Sequence, residues 1–344
     1  MESTKSEKKK LSKGKKALII ILAIIAAVVI GELISVNWHS NPKNIVKYET
    51  DNPHIVSGDY PLVSAHRSGG GIAPEETMMA FKNCAESPDF EVDIFEFDLH
   101  ITKDEVLVLL HDDTLDRTSN SAEVFGREEV RPEEMTYDEL HTLNMGAKFE
   151  DENGNMPYAD LSGDSVPEDL RILRLEDVLD YLISTGEHNY IIEIKNSGEL
   201  GMKGVDILYS IIKERGILEN VIFGSFHEEV SHYVDDNYPD FKRSATIKEV
   251  LAFYNAANLN KKDFEAKYVA LQIPYNMPFR LAANLGTAKV INYAHEHNIA
   301  VQYWTVNKEK DLEYLSEIGA DCIMTDYPDR LYKVISEEKS ENAA

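Results

Sequence analysis

The segment that decides the fold spans residues 94–112 and reads IFEFDLHITKDEVLVLLHD. It contains two short apolar runs, 94–98 and 106–110, of the kind that form strands. Only seven residues separate them, whereas a crossover between parallel strands needs about a dozen or more. The sequence therefore predicts an antiparallel hairpin, and a turn midway between the strands places Asp98 opposite His111.

Short apolar runs alternate with amphipathic stretches along most of the remaining chain. The other strand candidates are 62–66, 190–194, 221–225, 242–246, 268–272, 300–304 and 322–325. The helical patterns are 76–87, 175–184, 204–215, 227–236, 247–256, 286–297 and 308–317. With the hairpin counted once, eight strands alternate with helices, which predicts an α/β fold of the TIM (β/α)8 barrel type. A doubly wound sheet is the alternative.

The barrel is expected over residues 61–335, with a polar tail at 336–344. Residues 112–172 form its longest stretch without a barrel strand, and they are rich in acidic and polar side chains. Because this acidic insertion follows the third strand segment, we expect it over the mouth of the barrel as a lid or substrate-contacting element.

The N-terminus has the pattern of a membrane anchor. Residues 1–16 form a basic tail, and residues 17–36 are almost entirely apolar. Twenty such residues suit one transmembrane helix across a hydrocarbon core of roughly 30 Å. Lysines before the span favour a cytoplasmic N-terminus, so the body of the chain, reached through a linker at 37–60, is expected outside the cytoplasm at the cell membrane. A cleaved signal peptide is the alternative, although small residues at the cleavage positions are hard to find.

Composition narrows the class of protein. The chain has 344 residues, of which 43% are hydrophobic and 28% charged, as in a globular protein. Beyond residue 39 it carries 28 basic and 58 acidic residues. A body this acidic repels phosphate backbones, so we expect no nucleic-acid partner. Two cysteines are too few for a disulfide framework.

Chemistry-bearing residues collect where predicted strands end. His66 and Arg67 follow the first strand and precede three glycines. Such a run of glycines lets the backbone approach a ligand closely, and the planar guanidinium suits a pair of phosphodiester oxygens.

Three carboxylates are expected at the same end of the barrel. Alternation along a strand puts Glu96 and Asp98 on one face, and Glu193 shares a face with Lys195 at the end of the 190–194 strand. An all-oxygen cluster of three carboxylates suits a divalent cation such as Ca²⁺ or Mg²⁺ better than zinc. The alternative is that lysines at the rim neutralise these carboxylates.

The order of these motifs resembles the glycerophosphodiester phosphodiesterase family over roughly residues 60–335. The motifs that carry the resemblance are His66-Arg67, Pro74-Glu75-Glu76-Thr77, Glu96-x-Asp98, Thr102-Lys103-Asp104, the run from His111 to Thr118, Leu175-Glu176-Asp177, Ile192-Glu193-Ile194-Lys195, Trp304-Thr305-Val306-Asn307 and Thr325-Asp326-Tyr327-Pro328. One departure is Glu76, which stands where the family's Pro-Glu-Asn-Thr motif has Asn.

The resemblance implies a TIM barrel that hydrolyses glycerophosphodiesters to glycerol 3-phosphate and an alcohol, and a glycerophosphodiester or lipid-headgroup substrate as its partner. It implies these residue roles: His66 and His111 as the acid–base pair, Glu96, Asp98 and Glu193 as ligands of Ca²⁺ or Mg²⁺, and Arg67, Lys195 and Trp304 as substrate contacts. Which histidine is the acid, which metal binds and which alcohol leaves stay open.

Two other functions stay open at this point. One is a lysophospholipase D-like hydrolase acting on lysophospholipids. The other is a non-catalytic barrel that binds headgroups, although such a protein has no need of both histidines and all three carboxylates.

Overall fold

The computed structural model of the chain describes residues 13–39, 44–56, 60–275 and 284–342. Most of the predicted basic tail, parts of the predicted linker and the last two residues of the polar tail lie outside these ranges.

Eight strands form a single sheet. They are β1 Leu62–Ala65, β2 Ile94–Ile101, β3 Leu107–Leu109, β4 Asn189–Ile194, β5 Val221–Gly224, β6 Ala270–Pro274, β7 Ala300–Trp304 and β8 Cys322–Thr325.

Eleven α-helices occur among the described residues. They are α1 Lys13–His39, α2 Met78–Ala85, α3 Ser121–Phe125, α4 Tyr137–Leu140, α5 Leu175–Thr185, α6 Gly198–Glu214, α7 Glu228–Asn237, α8 Ile247–Leu259, α9 Ala288–Glu296, α10 Glu309–Glu317 and α11 Pro328–Asn342. The last helix continues through the described part of the segment that was expected to be a polar tail.

The sheet is a nearly closed parallel barrel, which confirms the predicted TIM fold. Its seven parallel strands follow the order β5-β4-β2-β1-β8-β7-β6, and β3 pairs with β2. Among the residues that the structure describes, two isolated parallel bridges close the remaining gap between β5 and β6, from Phe223 to Arg243 and from Ser244 to Ala270. We call this gap the seam. The strand predicted at 242–246 is therefore reduced to two bridging residues.

A buried ion-pair cluster supports the seam. The Arg243 side chain is only 1% exposed, and its guanidinium donates to both carboxylate oxygens of Asp235 on α7 and of Glu249 on α8. The four distances lie between 2.7 and 2.9 Å. The same guanidinium thus ties the bridging segment to the two helices that flank it.

The hairpin is confirmed as antiparallel, but its predicted register is wrong by one residue. Leu99 pairs with Leu109 and Ile101 with Leu107, which places Leu110, not His111, opposite Asp98. The reason is that β2 continues to Ile101, three residues beyond its predicted end, so the turn is centred on Asp104.

Alternation along β2 separates the core from the barrel interior. Phe95, Phe97 and Leu99 pack into the hydrophobic layer between strands and helices. Ile94 instead packs among the apolar side chains of the barrel interior. Glu96 and Asp98 share its face of the strand, so they too point into the barrel.

Residues 44–56, which we call the strap, pack against the end of the barrel where the strands begin. The Asn52 side chain donates to the carbonyl oxygens of Val269 and Asn298 at 2.8 and 2.9 Å. The backbone N–H of Val56 donates to Asp321 at 2.8 Å. The described part of the predicted linker is thus bound to the barrel face opposite the strand C-termini.

Helix α1 begins the described chain and ends five residues before the strap. Its described side chains are exposed, and it is long and apolar enough to cross a membrane. A signal sequence near an N-terminus has the same properties.

The insertion at 112–172 builds a small core of its own, in which Leu115, Leu140 and Leu143 pack with Val108 of β3. The hairpin strand is therefore one link between the insertion and the barrel, and an ion pair between Lys82 on α2 and Asp169 is another.

Replacing Arg243 by Met should destabilise the protein strongly, because it leaves Asp235 and Glu249 without their shared cation. We expect the free energy of unfolding to fall by about 3 kcal/mol, as when one partner of a buried pair is removed. The control is Arg127→Met, which breaks the exposed pair with Glu134 and should cost at most about 1 kcal/mol. Denaturant titration measures both, and equal losses would contradict the role of Arg243.

Candidate active site

Seven of the eight predicted site residues line one cavity of about 390 Å³ at the C-terminal ends of the strands. They are His66, Arg67, Glu96, Asp98, His111, Glu193 and Trp304. The eighth, Lys195, lies next to them and pairs with Glu193 and Asp98 at 3.0 and 3.5 Å. The fold therefore brings together all the residues that the sequence proposed for the site.

A strained turn after β1 begins the site. Arg67 and Ser68 both have positive φ angles, 47° and 59°, a backbone conformation that residues other than glycine rarely adopt. The turn points the backbone N–H of Arg67 at Glu96, whose carboxylate accepts it at 2.8 Å. Backbone strain at this position is thus tied to the placement of one of the carboxylates.

His66 is held by an aspartate behind it. Its Nδ1 lies 2.6 Å from Asp326, and Asp326 in turn accepts from the Asn307 side chain at 2.6 Å. Burial opposes the charge on the ring, but Glu96 and the bond to Asp326 outweigh it and raise the pKa of His66. Its other nitrogen, Nε2, lies 3.3 Å from the Thr305 hydroxyl.

His111 has the same arrangement. Its Nδ1 lies 2.6 Å from Asp112, and the hydrogen bond between them is the main reason that the pKa of Asp112 is well below its usual range. In both histidines the aspartate occupies Nδ1, which leaves Nε2 as the nitrogen available for proton transfer.

A chain of charged groups runs along one side of the cavity. Arg117 donates to Asp112 and also to both oxygens of Glu75, and Arg67 contacts Glu75 at 3.2 Å. Charge-assisted contacts of this kind fix side-chain orientation. The loop after β1 is thereby connected to the His111 loop.

The three carboxylates repel one another at the bottom of the cavity, where Glu96 and Asp98 are buried and Glu193 is partly buried. Burial and the charge of Asp98 raise the pKa of Glu96 to about 7 and that of Glu193 to about 8. Burial would also raise the pKa of Asp98, but Lys195, His111 and Arg67 lower it. The site therefore concentrates more negative charge than its own cations neutralise.

Glu76 adds a fourth carboxyl group, at the position where the resemblance led us to expect Asn. It is 4% exposed and accepts the backbone N–H of Asp98 at 2.7 Å. Burial and the charges of Asp98 and Glu75 raise its pKa well above the usual range.

The chemistry of this cluster fits a divalent cation, although its present geometry is not that of a closed coordination site. Among the described residues, no group of three His, Cys, Asp or Glu side chains is spaced to hold one ion. Within the same residues, Asp98 Oδ2 is buried without a hydrogen-bond partner, and the two neighbouring carboxylates have raised pKa values. A hard divalent cation coordinated by these carboxylate oxygens would supply the positive charge that they lack.

Several residues that complete the site had no role in the sequence analysis. Asp326, Asn307 and Asp112 lie within the family-like motifs, each at or just after the C-terminal end of a strand, and that position was the available signal. Another omission is a set of apolar side chains on α8 that line the same cavity.

Comparison with known proteins confirms the family resemblance. Residues 66–330 match the model of the Glycerophosphoryl diester phosphodiesterase family. A glycerophosphodiester phosphodiesterase from Caldanaerobacter subterraneus is 28% identical over 283 residues, covering 80% of this chain and 97% of that protein. One from Bacillus subtilis is 28% identical over 290 residues, covering 82% and 88%.

A solved structure supports the fold. An Oleispira antarctica phosphodiesterase, whose structure was solved in complex with the product sn-glycerol-3-phosphate, superposes with a TM-score of 0.59 at 17% identity. The match covers 80% of this chain and 97% of that one.

Replacing Asp326 by Asn should lower the pKa of His66, because the carboxylate that stabilises the charged ring is lost. The raised pKa stabilises the native state most fully below about pH 6.5, the ordinary value for histidine, and this stabilisation disappears as the pH rises through the native value. The variant should therefore lose more stability at acid than at alkaline pH. Histidine NMR titration and melting curves in EDTA measure both effects. Asp113→Asn, at an exposed carboxylate paired with Arg131, is the control, and an unchanged His66 titration in Asp326→Asn would contradict the assignment.

Proposed function

This chain belongs to the glycerophosphoryl diester phosphodiesterase family, and we propose that His66 and His111 carry out its hydrolytic chemistry. It is a phosphoric diester hydrolase that acts on glycerophosphodiesters. Membership in this family sets aside the alternative of a non-catalytic headgroup-binding barrel. The observation that carries the proposal is the pair of histidines, each with Nδ1 on an aspartate, in one cavity with three carboxylates.

The two histidines divide the proton transfers between them. In the net reaction a water oxygen bonds to phosphorus, the bond from phosphorus to the alcohol oxygen breaks, and the proton from water ends on that alcohol. One histidine takes the proton from the attacking water and the other gives a proton to the leaving alkoxide. An imidazole whose ordinary pKa is about 6.5 can do either near neutral pH.

Glu96, Asp98 and Glu193 would hold the divalent cation, Ca²⁺ or Mg²⁺. Such a cation, when bound, neutralises charge on the phosphoryl oxygens. Arg67 and Lys195 would hold the phosphate, and Trp304 would contact the alcohol beyond it. Carboxylates already orient these two basic side chains: Glu75 contacts Arg67, and Glu193 contacts Lys195.

The catalytic domain is proposed to work outside the cytoplasm, anchored by α1. The support is the apolar helix with exposed side chains and the lysines that precede it in the sequence.

Replacing Glu193 by Gln should weaken both cation binding and turnover. In the metal-free protein this carboxyl has a raised pKa of about 8 instead of its ordinary 4.5, so the native state keeps a proton that the unfolded chain releases. Wild-type stability in EDTA should therefore fall as the pH rises from about 4.5 to about 8. The stability of the variant should fall less over the same pH range, because its amide does not ionise. Ca²⁺ or Mg²⁺ should raise the wild-type melting temperature more than that of the variant.

The matched comparison is His111→Ala, which should lower turnover by about 10²–10⁴-fold and keep the stabilisation by metal. Thermal melts are recorded beside glycerol 3-phosphate release from a panel of glycerophosphodiesters, with and without EDTA. If His111→Ala loses metal stabilisation as fully as Glu193→Gln does, His111 is a ligand and the division of roles is wrong. If no substrate releases glycerol 3-phosphate, the proposed reaction is wrong.

The full chain should stay in the membrane with its C-terminus outside the cytoplasm. Protease added to intact spheroplasts should digest the body of the 38.9 kDa chain, and a cytoplasmic marker protein should survive as the control. A protected C-terminus, or a soluble product that begins near residue 37, would contradict this topology.

A further inference from the structure

Strand β2 changes its hydrogen-bonding neighbour at the point where it carries Asp98. Its last pair with β1 joins Phe95 to Ala65, and its first pair with β3 joins Leu99 to Leu109. Asp98 lies between these two pairs, where the described part of the sheet provides no strand on this side. A buried backbone N–H group at such a position needs an acceptor from elsewhere, because leaving it unpaired costs free energy.

The side chain of Glu76 is this acceptor. Its Oε1 accepts the N–H of Asp98 at 2.7 Å. The carbonyl oxygen of Asp98 accepts the N–H of Leu110, just after β3, at 3.1 Å. One side chain therefore takes the place of a neighbouring strand at Asp98, and it does so in the interval between the ends of β1 and β3.

The Glu76 side chain is itself held from two directions. Its backbone has a φ of 55°, which is unusual for a residue other than glycine, and its N–H donates to the Arg67 carbonyl oxygen at 3.2 Å. The next residue, Thr77, is the N-cap of α2, and Phe81 on α2 packs edge to face against Phe97 of β2 at 5.7 Å between ring centroids. The helix thus packs on the same strand to which Glu76 is hydrogen-bonded.

The loop after β1 also holds the other carboxylate of β2. The backbone N–H of Arg67 donates to Glu96 Oε2 at 2.8 Å. The loop therefore binds the side chain of Glu96 and the backbone of Asp98. Asp98 Oδ2 has no hydrogen-bond partner among the described residues, so the position of this oxygen depends strongly on the backbone that carries it.

We infer that Glu76 is a positioning residue for the cation site: by accepting the Asp98 N–H it fixes the backbone from which the Asp98 carboxylate reaches the cation. The inference rests on the proposed function, in which Asp98 is a cation ligand. Residues that orient a metal ligand without touching the metal typically change affinity by about 10–100-fold when they are replaced. What this role requires is an acceptor oxygen at Oε1, and an amide oxygen can supply it as well as a carboxylate can.

The experiment separates the acceptor from the charge. The full chain, kept soluble in a non-ionic detergent and freed of metal, is titrated calorimetrically with Ca²⁺ and separately with Mg²⁺ at one fixed pH. Glu76→Met has a side chain of similar length without an acceptor oxygen, and it should weaken cation binding by about tenfold or more. Glu76→Gln keeps the acceptor and should bind the cation nearly as tightly as the wild type.

Amide hydrogen exchange in EDTA tests the hydrogen bond itself, without any metal. The Asp98 amide should exchange about tenfold faster in Glu76→Met than in the wild type, as for the loss of one hydrogen bond to a carboxyl group. In Glu76→Gln it should stay protected. Melting curves establish that the variants are folded, and Glu76→Ala replaces Glu76→Met if that variant is not.

The matched control is Asp93→Ala. Asp93 also accepts a strand N–H, that of Val63, at 2.8 Å, but it does so where the strands begin, at the opposite end of the barrel. This variant should speed exchange at Val63 and leave cation affinity unchanged. If it weakens cation binding as much as Glu76→Met does, the effect is a general loosening of the sheet and the inference is wrong.

Wild-type cation affinity in Glu76→Met, or unchanged exchange at Asp98, would overturn the inference. If Glu76→Gln loses as much affinity as Glu76→Met, Glu76 acts through its charge or as a ligand, and the positioning role is wrong. In each of these cases the wild type binds the cation and the proposed function stands. A wild-type chain that binds neither cation would overturn the proposed cation site and the inference together.

Discussion

The burial of several carboxylates at one end of the barrel is the constraint on which the rest of the site depends. Glu96, Asp98 and Glu193 point into a confined space from two adjacent strands, and Glu76 lies against the backbone of the first. Like charges placed so closely cost free energy unless cations or protons compensate them. The groups that approach them, Arg67, Lys195 and the two histidines, are all positive or able to become so.

The same constraint explains why the supporting residues form connected sets. A histidine beside buried carboxylates needs a defined orientation, and Asp326 and Asp112 provide it through Nδ1. Asp112 is oriented in turn by Arg117, and Asp326 by Asn307. The His66 set joins the loops after β1, β7 and β8, and Arg117 joins the His111 loop after β3 to Glu75 in the loop after β1. Catalytic geometry therefore depends on the placement of several strands of the barrel.

The sequence predicts this architecture well where short-range geometry decides the outcome. Seven residues between two strands exclude a parallel crossover, and alternation alone aligns Glu96 with Asp98. Prediction from the sequence fails where the outcome depends on contacts that the local pattern does not contain. The register of the hairpin depends on how far β2 extends beyond Asp98, and the segment at 242–246 forms only bridges. The apolar stripe on α8 looks the same in sequence whether it faces a core or a cavity, so this part of the cavity lining could not be recognised.

The seam between β5 and β6 also couples the cavity to the folding of the barrel. Ser244 and Ala245, on the bridging segment, line the cavity between Phe226 on one side and Ile273 on the other. A ligand that contacts all of them holds the two edges of the sheet together and binds an opened barrel less well. Binding and closure are then thermodynamically linked, and each favours the other by the same free energy. Ligand binding should therefore make the barrel more rigid at the seam, where isolated bridges replace a continuous ladder of strand hydrogen bonds.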